Sequence, residues 1–471
     1  MASISWVWWS NAGSKMSTLD TIVAEATPRG RGGVAVLRLS GPKALMIAEQ
    51  MTKQSLQRRH AHYAAFLSTT GERIDAGLAL YFEAPHSFTG EHVVELQCHG
   101  GPVIVDLLLE TALAYGARLA RPGEFSERAF LNGKMDLVQA EAVADLIAAT
   151  TRASAGAAMR SLQGEFSKQI HHLVKALIEL RTFIEATLDF PDEDIEMIEN
   201  EQITGKLQQI MQECVHLEAT AQSGVLLQEG AQLVLVGPPN AGKSSLMNYL
   251  ARDEVAIVSE IAGTTRDILK ERVSLRGIPL YLLDTAGLRQ STDVIEKEGI
   301  RRTEKAMNQA ECLLLLVDDT RREELTHLLR EYEDLLGRCP TLIVFNKVDL
   351  SGAKAERIDD IALPKGITVP AVRVSLHTGV GLDLLEHLIL DCLGWVSEGE
   401  GQFMARRRHL DALQRAHAAL ERGLQIYAHT HSLELLAEEC RLAQEALSEI
   451  TGAFRADDLL GAIFSTFCIG K

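Results

Sequence analysis

At 471 residues the chain is longer than one compact core organises, which implies about three domains of roughly 150 residues each. Hydrophobic residues at 46% and charged residues at 24% are ordinary for a soluble globular protein, and no apolar run approaches the ~20 residues of a membrane span. With 47 Lys and Arg against 64 Asp and Glu, the net charge of -17 opposes nonspecific binding to nucleic acid or an anionic membrane, so any RNA contact needs a local basic patch or a partner protein.

The first fifteen residues, MASISWVWWSNAGSK, lack the basic start, long apolar core and cleavage site of a signal peptide, and read as a disordered extension ahead of Met16. From 16 to 133 the pattern is mixed: Val34 to Leu39 and Leu78 to Phe82 read as strands, and Val103 to Tyr115 as a helix behind the turn HGGP, an α+β domain. Within it the run TPRGRGGVAVLRLSG, 27 to 41, is equally an anion-binding loop or a basic turn before a strand. His99 in QCHGG reads as structural.

From 134 to 230 the signal is helical, clearest where Ile170, Leu173, Val174, Leu177, Leu180, Ile184 and Leu188 recur three or four apart before Pro191. The acidic run Asp192, Glu193, Asp194 and Glu196 reads as a solvated loop between helices rather than a cation site. From 231 to 393 short apolar strands alternate with helices (QLVLVG, LYLLDTAG, CLLLLVDD, TLIVFNKVD and AVRVS), the mark of a mostly parallel sheet covered on both faces. From 394 to 471 the chain is helical again, so the α/β unit reads as inserted in a discontinuous helical domain. Seven dispersed cysteines without a CxxC pair argue against disulfides and structural zinc and fit a cytoplasmic protein.

The stretch GPPNAGKSS, 237 to 245, follows a strand and precedes a helix, which is the context a phosphate-binding loop requires. Gly237 and Gly242 let the backbone turn around the phosphates, with Ala241 and Ser245 in the same cradle of N–H groups. Lys243 would reach the β and γ phosphates, and the Ser244 hydroxyl would ligate Mg2+. At a second strand end, Asp284, Thr285, Ala286 and Gly287 place a carboxylate to hold Mg2+ through water and an N–H at the γ phosphate. At a third, Asn346, Lys347 and Asp349 supply a carboxylate that matches the paired donors of guanine; ATP would leave a buried Asp349 unpaired. Ser375 backs the base. Together these motifs predict GTP hydrolysis by a P-loop GTPase domain of the Ras-like class.

Where many small GTPases carry a water-orienting glutamine after DTAG, this chain has Leu288. Asn240 in the phosphate loop, SEIAGTTRD at 259 to 267, DTAGLR at 284 to 289 and the terminal CIGK together resemble the MnmE (TrmE) family of tRNA uridine-modification GTPases, over residues 17 to 471. The resemblance implies a potassium-activated GTPase: Asn240, Ser259, Ile261 and Thr264 would hold K+, with Glu260, Ala262 and Gly263 in the same nucleotide-contacting segment. Thr265 would join the Mg2+ ligands and Glu296 would orient the water; read cold, Glu296 is an exposed acid at a helix start.

It further implies a folate-binding, dimer-forming N-terminal domain, in which Arg38, Glu95, Lys134 and Lys471 contact a 5-formyl- or methylene-tetrahydrofolate. The tail would bring Cys468 near the one-carbon unit, where it either reacts or packs; a prenylation signal is excluded by the last residue, Lys471. The implied partners are a second copy of the chain, tRNA and the flavoprotein MnmG, which would supply FAD and use NADH. Two rival readings stand beside this one: a ribosome-assembly or RNA-binding GTPase without modification chemistry, and a pure switch whose output is protein binding. The only short basic cluster after the G domain, Arg406, Arg407 and Arg408, is equally a solvated helix face or an RNA patch.

Overall fold

The computed structural model describes residues 20–189, 196–251, 271–284, 310–331, 339–363, 368–396, 402–453, 460, 463–465, 467 and 470. They divide into two units, Met1–Ala140 with Arg455–Lys471, and Glu141–Phe454. The extension before Met16 and the acidic residues 192–195 lie outside the described residues.

In the first unit a six-stranded sheet runs in the order β3 (Ala61–Leu67), β4 (Arg73–Phe82), β5 (Val93–Gly100), β2 (Gly32–Ser40), β1 (Thr21–Glu25) and β6 (Ala117–Leu119). All pairs are antiparallel except β1 with β6. Strict alternation in β2 buries Ala35, Leu37 and Leu39 against helices α1 (Ala44–Thr52) and α2 (Pro102–Ala114) and turns Arg38 to the other face. On that face Ile22, Ala24, Ala120 and Phe125 form a smaller core with Phe88.

A buried ionic network closes this unit. Arg128, on α3 (Glu124–Leu131), is 3% exposed and donates to Asp20 Oδ1 at 2.9 Å, Glu91 Oε2 at 3.0 Å and Glu124 Oε1 at 3.1 Å. Arg118 adds two bonds to Glu124, at 2.8 and 2.5 Å. Burial pushes the Glu124 carboxyl up, but Arg118, the Arg121 N–H and Arg128 outweigh it and hold the group below the usual range. The exposed His99 is held by Asp75: its Nδ1 lies 2.8 Å from Asp75 Oδ1, and its backbone N–H donates to Asp75 Oδ2 at 2.8 Å.

The second unit starts within α4 (Leu137–Ala148) and continues through α5 (Arg152–Leu162), α6 (Glu165–Asp189) and the 34-residue α7 (Glu196–Glu229). Phe166, Ile170, Leu173, Leu177, Leu180 and Ile184 bury one stripe of α6, each contributing ~1.5–3 kcal/mol. The seven-stranded sheet follows, in the order β12 (Arg357–Ala362), β13 (Thr368–Arg373), β11 (Thr341–Asn346), β10 (Cys312–Asp318), β7 (Ala231–Val236), β9 (Ile278–Asp284) and β8 (Glu271–Leu275). Its five inner strands are parallel and only the two edge strands run antiparallel. Helices α8 (Lys243–Leu250), α9 (Glu323–Glu331) and α10 (Val348–Ser351) lie between its strands, and the chain leaves the sheet through α11 (Leu382–Cys392), after which the Val396 N–H donates to Ser223 Oγ on α7 at 3.1 Å, so both ends of the insert sit on one helix.

The G domain and the helices share a core: Ala157, Ala158, Leu226, Leu227 and Met404 cluster with Leu233, Leu235, Leu280 and Leu314. Thr151 Oγ1, capping α5, also donates to the carbonyl of Gly277 at the tip of the β8–β9 hairpin, at 2.7 Å.

The chain ends in the antiparallel pair α12 (Arg407–Thr430) and α13 (Leu433–Thr451). Carboxylates outside this pair narrow the reading of the arginine cluster: each member is paired, although Arg407 stays largely exposed. Arg406 meets Asp145 at 2.8 Å, Arg407 meets Glu229 at 2.6 Å and Glu311 at 2.8 Å, and Arg408 forms a fork on Glu141 at 2.9 and 2.7 Å. Among the described residues no helix is long and apolar enough to cross a membrane. The six described cysteines are free thiols.

Candidate functional site

Parallel register brings the motif-bearing strand ends to one edge of the sheet. Val236 pairs with Leu315, Leu235 with Asp284, and Asp318 with Asn346, so the loops after β7, β9, β10 and β11 leave the carboxyl edge together, where α/β sheets bind ligands.

The phosphate loop admits only glycine at its two turns. A Cβ on Gly237 would stand 2.4 Å from the Leu316 carbonyl oxygen. Gly242, at φ 109, would put one 2.4 Å from Asn346 Nδ2. Helix α8 (Lys243–Leu250) begins immediately after, with Ser244 and Ser245 exposed at its first turn and Asn240 exposed at φ 64. Ala241 is buried under the loop. Lys243 lies along the hollow, its Nζ donating to the carbonyls of Gly237 at 2.7 Å and Pro238 at 3.0 Å. A cradle with an ammonium and a helix N-terminus is built for a polyphosphate.

Asn346 ties three loops: its Nδ2 donates to the Ala241 carbonyl at 2.9 Å, and its Oδ1 accepts from the Leu376 N–H at 3.0 Å. Ser375, fully buried, donates to Asp349 Oδ1 at 2.5 Å and accepts from the Thr378 N–H at 3.1 Å. Asp349 itself is exposed on the short turn α10 (Val348–Ser351), not buried as expected; the turn follows the left-handed Lys347 at φ 70. Two acids that the motifs pass over, Asp318 and Asp319, are buried beneath it, at 8% and 4% exposure. Their signal was visible as the DD that ends an apolar strand.

Ser259, Glu260, Ile261, Ala262, Gly263, Thr264, Thr265, Thr285, Ala286, Gly287 and Glu296 lie outside the described residues. Asp284 is placed by its backbone as the last residue of β9.

In the first unit Arg38 and Glu95 stand directly opposite on β2 and β5, with Nε and Nη2 both 2.9 Å from Glu95 Oε1. The Arg38 guanidinium also lies over Phe88 at 5.4 Å and Phe125 at 5.8 Å. Lys134 Nζ donates to the Pro85 carbonyl at 3.1 Å, and its stem packs on Gly90, so one loop, 85–90, carries both Lys134 and the Phe88 ring over Arg38. The chain terminus meets the same sheet: a Cβ on Gly470 would come 2.1 Å from the Glu25 carbonyl oxygen, and one on Gly123 would meet Phe464 and Phe467. Cys468 and Lys471 are outside the described residues.

Gly470 has φ 96, so any side chain there meets both backbone strain and the Glu25 carbonyl, together ~1–3 kcal/mol. Gly470→Val is therefore expected to release the tail, and carboxypeptidase should trim the variant about tenfold faster than the wild type while the melting of the second unit is unchanged.

Two family models match the chain: the GTP-binding protein TrmE N-terminus at residues 21–134 and the MnmE helical domain at 137–468. Among curated proteins, the tRNA modification GTPase MnmE of Laribacter hongkongensis is 52% identical over 455 residues, 96% of this chain and 99% of that protein. The protein of the same name from Coxiella burnetii is 49% identical over 454 residues and that from Methylococcus capsulatus 50% over 452, each covering 96% of this chain and 99% of the relative.

Proposed function

The chain belongs to the MnmE (TrmE) family of tRNA modification GTPases and is a GTP hydrolase; from that premise we propose that it is a potassium-activated timer for modifying C5 of the wobble uridine in tRNA. The observation that carries the reading is the phosphate loop itself, which presents an exposed Asn240 beside the buried Lys243.

Lys243 neutralises charge on the β and γ phosphates, and Ser244, Thr265 and Asp284, the last through water, would hold Mg2+. Asn240, with Ser259, Ile261 and Thr264, would hold K+. Held there, K+ would supply positive charge to offset the charge that develops on the phosphates, the service an arginine gives in other GTPases. Asn240 fits the role because it is exposed on the phosphate loop, at φ 64, and carries an amide oxygen that a monovalent cation accepts as a ligand. Leu288 cannot orient water, and Glu296 takes that task. Asp349, backed by Ser375, reads guanine.

Arg38, Glu95, Lys134 and Lys471 would hold 5-formyl- or methylene-tetrahydrofolate. The guanidinium and carboxylate suit a hydrogen-bonding pterin, and Phe88 and Phe125 offer faces for its ring. The protein acts in the cytoplasm as a homodimer whose G domains meet across the nucleotides. MnmG brings FAD and NADH, and GTP hydrolysis biases the open and closed states of the dimer rather than making the new bond. The pairing of Arg406, Arg407 and Arg408 with carboxylates counts against the ribosome-assembly reading, which needs a free basic module.

Two measurements test this. Wobble-uridine modification is expected to vanish in a deletion strain and to return with the wild type but not with Glu296→Ala; normal modification in the deletion strain would sink the proposal. GTP turnover is expected to be about tenfold or more faster in KCl than in NaCl, with Asn240→Ala abolishing the difference. Equal rates in the two salts would remove potassium from the mechanism.

A further inference from the structure

Strand β10 ends at Asp318 and is followed directly by Asp319, two consecutive acids that belong to none of the nucleotide motifs. Both are buried, and a buried carboxylate persists only when paired. What they pair with is the short turn that carries Asp349. Asp318 Oδ2 accepts from Lys347 Nζ at 2.7 Å, at the start of the turn. Asp319 Oδ2 accepts from Ser351 Oγ, at its end.

Each acid is also anchored behind. Asp318 Oδ1 accepts from the Thr320 N–H at 3.0 Å and hydroxyl at 2.7 Å, and Asp319 Oδ1 accepts from Arg322 Nε at 2.9 Å. The Asp319 N–H donates to the Asn346 carbonyl at 2.8 Å, so acids and turn share one rigid strand end. Burial pushes the Asp318 carboxyl up, yet the Lys347 ammonium and Thr320 outweigh it and hold the group below its ordinary value.

We infer that Asp318 and Asp319 are positioning residues for guanine recognition: they clamp the two ends of the 347–351 turn and so fix where the exposed Asp349 carboxylate stands. A carboxylate on an exposed four-residue turn has no packing of its own to set it to the fraction of an ångström that two parallel hydrogen bonds require. The clamp supplies that constraint from the buried side, while Ser375 supplies it from the other. The left-handed Lys347 costs backbone strain, and its ion pair with Asp318 is what holds that conformation.

The inference rests on the reading of Asp349 as the guanine contact, and one titration separates the two. Inosine diphosphate lacks the exocyclic amine of guanosine diphosphate and forfeits one of the two bonds to Asp349. The full-length wild type is expected to bind guanosine diphosphate about tenfold or more tightly than inosine diphosphate. A wild-type ratio near one would overturn the Asp349 reading itself.

With wild-type preference established, Asp318→Asn is expected to weaken guanosine diphosphate about tenfold and to bring the ratio toward one. The KM for GTP should rise by more than kcat falls. An unchanged ratio, or equal losses for both nucleotides, would mean that the acids serve only the fold and would overturn the inference. Ser351→Ala leaves Asp319 paired to Arg322 and is the variant that decides if Asp318→Asn does not fold. It should shift the ratio in the same direction by a smaller factor, and wild-type behaviour there would be equally fatal.

Discussion

Lys243→Ala is expected to lower GTP turnover by about 10²–10³-fold while leaving the melting temperature within a few degrees of the wild type. The side chain is 9% exposed, and its two recorded bonds go to loop carbonyls that the ammonium can exchange for phosphate oxygens without moving the backbone. Removing it deletes one preorganised positive charge from the phosphate cradle, where such a charge is worth several kcal/mol in the transition state. The loop keeps its shape because Gly237, Gly242 and the Asn346 amide determine it. Phosphate release at saturating GTP measures the first effect and thermal melting the second. A variant that turned over GTP at even a third of the wild-type rate would remove Lys243 from the chemistry.

The second large effect concerns stability. Glu141 is 2% exposed and receives two bonds from Arg408, with Arg406 at 3.8 Å and His409 Nε2 at 3.1 Å. Burial alone would keep the acid protonated, but His409 and Arg408 hold it ionised, far below the usual carboxylate range. His409 Nδ1 accepts the Arg406 N–H at 3.1 Å, so the proton of the neutral ring sits on Nε2, facing Glu141. Glu141→Ala strands the partly buried Arg408 guanidinium, while Arg406 keeps Asp145, and is expected to cost ~3–5 kcal/mol, read as a lower urea midpoint. Glu141→Gln should cost less, because its amide oxygen still accepts from Arg408.

The same cluster sets a pH dependence. Burial, helped by the Arg408 charge, pushes His409 down to about 4. Between its unfolded value near 6.5 and that folded value, only the unfolded chain takes up the proton. Its contribution is therefore complete above about pH 6.5 and is lost as the pH falls toward 4, by roughly 3 kcal/mol in all. Urea midpoints at pH 7.5 and 5 should fall for the wild type and fall less for His409→Gln.

Much of this architecture was legible as period. The three-and-four spacing from Ile170 to Leu188 lies inside α6, and the five apolar runs of the G domain are its five parallel strands. Strands β3 and β5 and the hairpin strand β8 were not read, because their alternation is broken by small and polar residues and their pairing is long-range. The phosphate loop was readable residue by residue, since its chemistry is local. Asp349 was named from its motif, but its exposure and the pairing of Lys347 with Asp318 were not, because they depend on long-range contacts. The arginines at 406–408 show the same limit. A run of like charge states what a surface would attract, but carboxylates from α4 and α7 had already taken it.

The core shared between the β7–β9 strands and helices α5 and α7 bears on how such a protein came to be assembled. In the linear order the nucleotide-hydrolysing segment resembles a cassette that could be lifted out at residues 230 and 394 and replaced by another. Three-dimensionally it is half of a two-piece casting, because Leu226, Leu227 and Met404 finish its underside and Thr151 fastens the hairpin that leads to Asp284. A foreign G domain transplanted into this frame would have to bring a matching underside.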